Sequence, residues 1–473
     1  MDDTFYSSIL SELQNPVLDD EIWQCHVDIH KNLITRADEL FTLADQEIHV
    51  FPFKDVPKCW FRLYTDTRIV CAVNLIIQYK AVGENIDLQA RSWMAGEIVR
   101  LLDMALIMAG GVGREEMIQR ILERVASLLQ PDHLPRDAST GGNNTATQDE
   151  LPFKTTLVPH VQNPIQRLRR PSMLSFQKHL KESKTPIILT GTMDHWPAMT
   201  TWKSKQHWLN QTISGRRHIP LEIGRSYTDE GFGQKIVPFA HFLDEYICHQ
   251  DAAASSNDAR ERQTGYLAQH DLLAQIPALR AEIATPDYCY LDAPLAEPGT
   301  PVALSKLENP QRATKTSHPS TIPSTATSLT TDPDDDQPIH TNIWFGPPWT
   351  ISPLHHDPYH NILCQVVGQK YIRLYSPLVS ARLHPKSSAE AAPHLAEHAT
   401  GATINMSNTS EVDIAAMELS PSEDWDAVYP GISQVPYVEC VLNAGEALYI
   451  PVGWWHYVRS CSTGISVSFW WGG

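Results

Sequence analysis

Apolar residues recur at three-to-four spacing through the first 130 positions, and then the period changes. Trp93, Ile98, Leu101, Leu102, Ala105, Leu106 and Ala109 form one series, and Met117, Ile121, Val125 and Leu128 form another. Such spacing puts side chains on one face of a helix. Gly110, Gly111 and Gly113 separate the two series, as glycines beyond a helix end do. Asp3–Leu13, Asp20–Asn32, Thr35–Asp45 and Phe61–Tyr79 are further helix candidates. No fixed repeat joins them, so residues 1–130 are expected to form an irregular all-helical domain.

A polar stretch, PDHLPRDASTGGNNTATQDE at 131–150, opens an expected linker that runs to about 160. Beyond it the pattern is one of short apolar runs. Pro186–Thr190 and Leu221–Ile223 read as strands, and Phe176–Glu182 as a short helix. Asn342–Phe345, Ile351–Leu354, Ile362–Val367 and Tyr371–Tyr375 follow, with a hairpin turn at Gly368-Gln369. Val438–Leu442, Ala447–Ile450, Trp455–Val458 and Ile465–Trp470 complete the set. Many short strands with turn signals indicate a barrel or sandwich. The fold class is therefore α+β, with a helical domain at 1–130, a linker at 131–160 and a β domain at 161–473. Ala293–Gln337 is rich in Pro, Ser and Thr and ends in DPDDD. It lacks the apolar surface to order itself and is expected to be a disordered, dispensable insertion. Ala381–Gln434 reads mostly as loop.

Charge and cysteine usage narrow the class. With 37 Lys+Arg against 55 Asp+Glu, the net charge is −18, and no basic stripe marks a nucleic-acid surface. An acidic surface favours basic partners, such as histone tails or Arg-containing peptides. No two of the eight cysteines have C-x-x-C spacing, which argues against a structural zinc module and for reduced, buried thiols. The N-terminus has no apolar signal region, and the most apolar run, Ile98–Val112, carries Arg100 and Asp103. A soluble protein of the nucleus or cytoplasm, without a membrane partner, is expected.

The chemistry concentrates in ISPLHHDPYHNILCQVVGQKYIRLYSP (351–377) and GEALYIPVGWWHYVRS (445–460). His355 and Asp357 are two positions apart, so a strand would point both to one face. His456 lies on an apolar strand among Trp454, Trp455 and Tyr457, where a histidine needs a polar partner or a ligand. Two histidines and a carboxylate form the facial triad of non-haem Fe(II) oxygenases. The His-x-Asp pair alone is weak, because His26-Val27-Asp28 also matches it. His356 has the opposite strand parity, and His360 lies past the Pro358 break, so neither is taken as a ligand. Lys370 could pair with the far carboxylate of a 2-oxo acid, although an ordinary hairpin lysine would look the same. Tyr266, Ser352 and Asn361 are possible hydrogen-bond donors to that ligand.

At these residues the chain resembles the Jumonji-C family of Fe(II)/2-oxoglutarate oxygenases. The resemblance covers roughly Pro171–Trp471 and rests on RPSMLSFQKHL, PIILTGTMDHWPAMTTW, GYLAQHDLLAQIPALRAEIATPDYC, NIWFGP, NTSEVD and the two segments above. It implies a double-stranded β-helix, a jelly-roll barrel of the cupin type. It implies Fe(II) on His355, Asp357 and His456, and 2-oxoglutarate on Lys370, assisted by Tyr266, Ser352 and Asn361, with Gln269 lining the site. Glu222, in LEIGRSYTDE, matches a family acid able to grip a guanidinium. Phe232 stands where the family typically shows Trp, and the order Arg225-Ser226 is inverted, so the substrate wall is expected to differ.

The resemblance implies coupling of 2-oxoglutarate decarboxylation, with O₂, to hydroxylation of a C–H bond. Protein hydroxylation at arginine C3 is the first expectation, because Glu222 suits a guanidinium better than a methylated ammonium, which prefers an aromatic cage. Demethylation of histone methyl-lysine is the alternative. A non-enzymatic barrel serving as a scaffold is a third reading, disfavoured by an intact triad and Lys370. No H-E-x-x-H suggests a peptidase. With no helices after the last strand, a monomer is expected.

Overall fold

A computed structural model of the protein describes residues 3–25, 29–82, 88–129, 149–153, 155–228, 231–248, 264–308, 339–386 and 406–472. The N-terminal region is all helical. Its main helices are α1 (Asp3–Gln14), α2 (Ala37–Val50), α3 (Lys58–Val82), α4 (Leu88–Ala109) and α5 (Glu115–Leu129). The periodic residues Ile98, Leu102 and Ala105 of α4 meet Ile118, Ile121 and Val125 of α5 and Leu63, Val70 and Val73 of α3 in one core. Trp93 departs from the expectation and is 66% exposed. It stands five positions before Ile98, which turns it away from the buried face. The expected helix Asp20–Asn32 is replaced by two short 3₁₀ turns, Glu21–Gln24 and His30–Asn32, with residues 26–28 outside the described set. The Asp20 side chain accepts from the Ile22 amide and so caps the first turn.

The rest of the chain carries β1 (Arg167–Arg169), β2 (Ile187–Thr190), β3 (His218–Ile223), β4 (Gly233–Pro238), β5 (Gly265–Tyr266), β6 (His340–Gly346) and β7 (Ile351–His356). It continues with β8 (His360–Val367), β9 (Gln369–Tyr375), β10 (Val438–Asn443), β11 (Glu446–Ile450), β12 (Trp455–Ser460) and β13 (Gly464–Trp471). Six strands form a sheet in the order β1-β2-β11-β8-β13-β6, four form β10-β9-β12-β7, and three form β4-β3-β5. Three of these strands, β1, β4 and β5, were not expected. Each is short or mostly exposed and lacks a long apolar run.

The two larger sheets face each other. Ile188, Leu363, Leu448 and Ile450 of one share a core with Ile372, Leu374, Cys440, Leu442 and Val458 of the other. The outer face of the six-stranded sheet is covered by Phe176, Trp202, Trp208, Phe239 and Phe242, so β8 and β13 are buried along their whole length. Burial on both faces explains their near-continuous apolar sequences. Leu383, Val412, Ile414, Ile432 and Val435 cover the outer face of the four-stranded sheet. The Ala381–Gln434 stretch therefore holds helices, Ile414–Leu419 and Trp425–Val428 among them, with residues 387–405 outside the described set. Among the described residues no strand pairing closes the two sheets into one barrel, so the β domain is a pair of facing sheets rather than the closed barrel expected. No described helix is long and apolar enough to cross a membrane.

The disorder expected from Ala293 onward is corrected as far as Glu308. Pro301–Glu308 is helical, and Val302 packs with Ala296 and Val452. Lys184 pairs with Glu297 at 2.7 Å, and the Pro294 carbonyl accepts from His360 Nε2 at 2.8 Å. The apolar positions in this piece find partners elsewhere in the chain, which composition alone does not reveal. Residues 309–338, like 130–148 of the expected linker, lie outside the described set.

The turn read at Gly368-Gln369 does join β8 to β9, but the two strands lie in different sheets and do not pair, so the expected hairpin is a crossover between the facing sheets. Gly368 has φ +76°, and a Cβ there would run into the Thr463 carbonyl oxygen. Gly368→Ala is thus expected to lose about 2–4 kcal/mol of stability, from left-handed strain plus overpacking, as a lowered urea midpoint.

Candidate metal centre

The inner face of the four-stranded sheet brings the triad together. His355 on β7 lies directly opposite His456 on β12. Between His456 and Val458 the register shifts, so that Val458 pairs with Ser352 rather than with Pro353 or Leu354. The additional β7 residue makes a bulge at Pro353-Leu354, where a proline is tolerated. The bulge restores parity, so Ser352 and His355 both face inward, while Leu354 joins the outer core. Asp357 follows the end of β7.

One ligand atom from each of His355, Asp357 and His456 lies within 4.8 Å of the others. His355 Nε2 is 3.9 Å from Asp357 Oδ1, and His456 Nε2 is 3.7 Å from Asp357 Oδ2. His355 Nδ1 donates to the Pro353 carbonyl at 2.7 Å, and His456 Nδ1 to the Trp454 carbonyl at 3.0 Å. A carbonyl only accepts, so both Nδ1 atoms carry the proton and both Nε2 lone pairs face Asp357. The Trp470 indole donates to Asp357 Oδ2 at 3.1 Å and fixes the carboxylate. Burial, then the neighbouring His355, lowers the His456 pKa to about 4, so its imidazole is neutral at physiological pH. Two imidazoles whose Nε2 atoms face one carboxylate suit a divalent transition metal. His26 and Asp28, the other His-x-Asp match, lie outside the described residues.

The two histidines set aside from the ligand set point away from the triad. His356 pairs with Trp455 on the outer face and meets its ring edge-on at 4.6 Å. His360 Nδ1 is 2.8 Å from the Tyr449 hydroxyl.

The inner face of the six-stranded sheet is polar opposite the triad. Ser466 and Ser468 alternate with apolar residues on β13, and on the neighbouring β8 Gln365 pairs with Ser466 and Asn361 with Trp470. Asn361 Oδ1, Gln365 Oε1 and Ser466 Oγ are buried without a hydrogen-bond partner among the described residues. Unpaired polar atoms at this density mark an interior built for a polar guest. Lys370 on β9 enters the same space, 3% exposed, with the Tyr266 hydroxyl, at 3.3 Å, as its only hydrogen-bond partner among the described residues. Burial lowers its pKa to about 7. At 1.36 kcal/mol per pH unit, keeping that ammonium charged costs roughly 5 kcal/mol, which an incoming carboxylate would offset.

A second wall comes from the three-stranded sheet. Glu222 on β3 pairs in register with Tyr266 on β5. It makes no hydrogen bond or ion pair with another described residue, and burial raises its pKa to about 7. Burial likewise raises the Tyr227 pKa; its hydroxyl bonds Thr409 and feels the charges of Asp357 and Glu222. This phenol is therefore near both Glu222 and Asp357. Phe232 folds back over Gly224, its ring 3.8 Å from where a Cβ would begin. Gln269, past β5, has a left-handed φ of +53°. Sequence reasoning missed Trp470, Tyr227, Ser466 and Ser468. The alternation of Ser466, Ser468 and Trp470 in an otherwise apolar run was the signal available for three of them.

Comparison with known proteins agrees with this geometry. The Cupin-like domain family matches residues 173–473. Lysine-specific demethylase 8 of Danio rerio is 30% identical over 92% of this chain and 87% of its own length. Lysine-specific demethylase JMJ30 of Arabidopsis thaliana is 29% identical over 92% of this chain and 85% of its own. The human bifunctional peptidase and (3S)-lysyl hydroxylase JMJD7 is 24% identical over 66% of this chain and 83% of its own. With the His-Asp-His cluster held between cupin-like sheets, the chain belongs to the Jumonji-C family of Fe(II)/2-oxoglutarate oxygenases.

Proposed function

We propose that this protein is an Fe(II)- and 2-oxoglutarate-dependent oxygenase acting on a basic side chain of a protein substrate. The observation that carries the reading is the triad facing a buried Lys370 that has no carboxylate partner among the described residues. His355, Asp357 and His456 would hold the iron. Lys370 and the Tyr266 hydroxyl would take the far carboxylate of 2-oxoglutarate, with Ser352 and Asn361 beside it and Gln269 at the rim. The division of β6–β13 into β6-β13-β8-β11 and β7-β12-β9-β10 supports reading the facing sheets as a double-stranded β-helix. That domain would occupy 161–473, after a helical domain at 1–130 and a linker at 131–160.

With 2-oxoglutarate bound, the metal would supply O₂ activation coupled to release of succinate and CO₂. The chain's own part is positioning and exclusion of water. Trp470 holds Asp357 in orientation, and the backbone carbonyls of Pro353 and Trp454 keep both imidazoles in the ligating tautomer. Glu222 would anchor the substrate cation, with Tyr227 nearby.

For the substrate, the names of the zebrafish and Arabidopsis relatives favour demethylation of methyl-lysine over the arginyl hydroxylation expected first. There the hydroxylated N-methyl group would leave as formaldehyde. The arginyl reading is kept for one observation, the unpartnered Glu222 carboxylate, whose two oxygens match a guanidinium. The net charge of −18 fits a basic protein partner under either reading, in the nucleus or the cytoplasm. An intact triad leaves the scaffold reading without support.

His355→Ala and Asp357→Ala are each expected to abolish succinate formation with little change in the melting temperature. Normal succinate release by either variant would refute the ligand assignment. The affinity for 2-oxoglutarate should weaken as pH rises above about 7. The lysine must be protonated to pair with the carboxylate and loses its proton there in the free protein, so Kd rises by up to tenfold per pH unit. Titration calorimetry should show proton uptake on binding, and Lys370→Gln should remove the pH dependence. Mass spectrometry of methyl-lysine and arginine peptides incubated with enzyme, Fe(II), ascorbate and 2-oxoglutarate separates the two substrate readings. Methyl loss with formaldehyde is expected under the first. Oxygen addition on arginine, suppressed by Glu222→Gln, would establish the second.

A further inference from the structure

The helical region reaches the site wall through one buried carboxylate. Asp103, in the middle of α4, is fully buried, and α4 packs on β3. Its Oδ1 accepts from Arg217 Nε and from Gln275 Nε2, both at 2.8 Å, and its Oδ2 accepts from the His218 backbone amide at 2.6 Å. Gln275 closes the arrangement. Its Nε2 also donates to the His218 carbonyl at 2.7 Å, its carbonyl accepts from Arg217 Nη2 at 2.7 Å, and its Oε1 accepts from His270 Nε2 at 2.7 Å. Gln119 of α5 donates to the same Gln275 carbonyl at 3.1 Å. Ile213, from the chain just before β3, is part of the helical core.

The network's position matters more than its strength. It fixes β3 at His218, the strand's first residue, with Glu222 four residues on. It fixes the segment after β5 at His270, with Tyr266 four residues back and the left-handed Gln269 next to it. Glu222 and Tyr266 are the register pair that ties these two strands together. Replacing a buried, hydrogen-bonded ion pair with apolar residues often leaves stability unchanged or raises it, so stability alone does not account for Asp103–Arg217. A local backbone strain beside the site is held only when its surroundings over-determine it.

We propose that Asp103 is a positioning residue of the site: through Gln275, His218 and Arg217, the helical region sets the spacing of Glu222 and Tyr266 against the metal ligands. The inference rests on the oxygenase reading for the role of those two residues. The triad itself stands on β7 and β12, outside the network.

The test is the double replacement Asp103→Leu/Arg217→Met in the full chain, which removes both charges together. Hydrogen exchange should accelerate in 218–223 and 264–276, while the amides of β7 and β12 keep their protection. KM for 2-oxoglutarate and for the peptide substrate should rise about tenfold or more, and Fe(II) affinity should stay within twofold. Unchanged exchange and unchanged KM values in a folded double variant would overturn the inference. Gln275→Met, which keeps the ion pair and cuts the His270 link, gives the same reading if the double variant fails to fold. Wild-type protein that turns over no 2-oxoglutarate would instead count against the oxygenase reading, and the exchange data would still decide the positional claim.

Discussion

The site depends on the pairing register of β7 with β12. His355 meets His456 only because these strands are aligned at that position, and Ser352 faces the same interior only because β7 carries an extra residue at Pro353-Leu354. A slip of one residue would turn His356 inward and bury His355 among Tyr371, Tyr375 and Trp455. The register is held from both sides. Outside, Leu354 and Trp455 sit in an apolar core; inside, Val458 packs with Ile372 and Leu442. Each is a large apolar side chain whose exposure would cost about 1.5–3 kcal/mol, so the alternative alignment loses on every residue at once.

That constraint is what lets the interior be polar. Lys370, Asn361, Gln365 and Ser466 are buried with few or no partners among the described residues, an arrangement that costs free energy unless a polar ligand or water meets them. The apolar packing on the outer faces of both sheets, with Trp202, Trp208, Phe239 and Phe242 on one side and Tyr375, Leu383 and Trp455 on the other, offsets the cost. Lys370 and Glu222, with pKa values both moved to about 7, are poised in opposite senses. An anionic ligand restores the lysine's charge, and a cationic substrate restores the carboxylate's.

Much of this was legible in the sequence because it lies on strands with strong alternation. The long helices of the N-terminal region and the eight strands that surround the site follow from period, although the helix expected over 20–32 does not form, and the triad gained its weight from the resemblance because a His-x-Asp pair alone is weak. Other features were hidden for physical reasons. β4 is mostly exposed and β5 is only two residues long, so no run announces them. Ala293–Glu308 looks unable to bury anything, yet Val302 finds Ala296 and Val452. Trp470, which orients Asp357, reads as one more core aromatic until its indole proton is traced. Asp103 reads as a flaw in an apolar helix, because Arg217 and Gln275 are its neighbours only in space.

The most direct test of the account is an anaerobic crystal structure with Mn(II), in place of the native metal, and 2-oxoglutarate. The account predicts metal density bound to His355 Nε2, His456 Nε2 and an Asp357 oxygen, with the distal carboxylate of 2-oxoglutarate within hydrogen-bond distance of Lys370 Nζ and the Tyr266 hydroxyl. Metal held by other residues, or a 2-oxoglutarate carboxylate that leaves Lys370 unpaired, would contradict it.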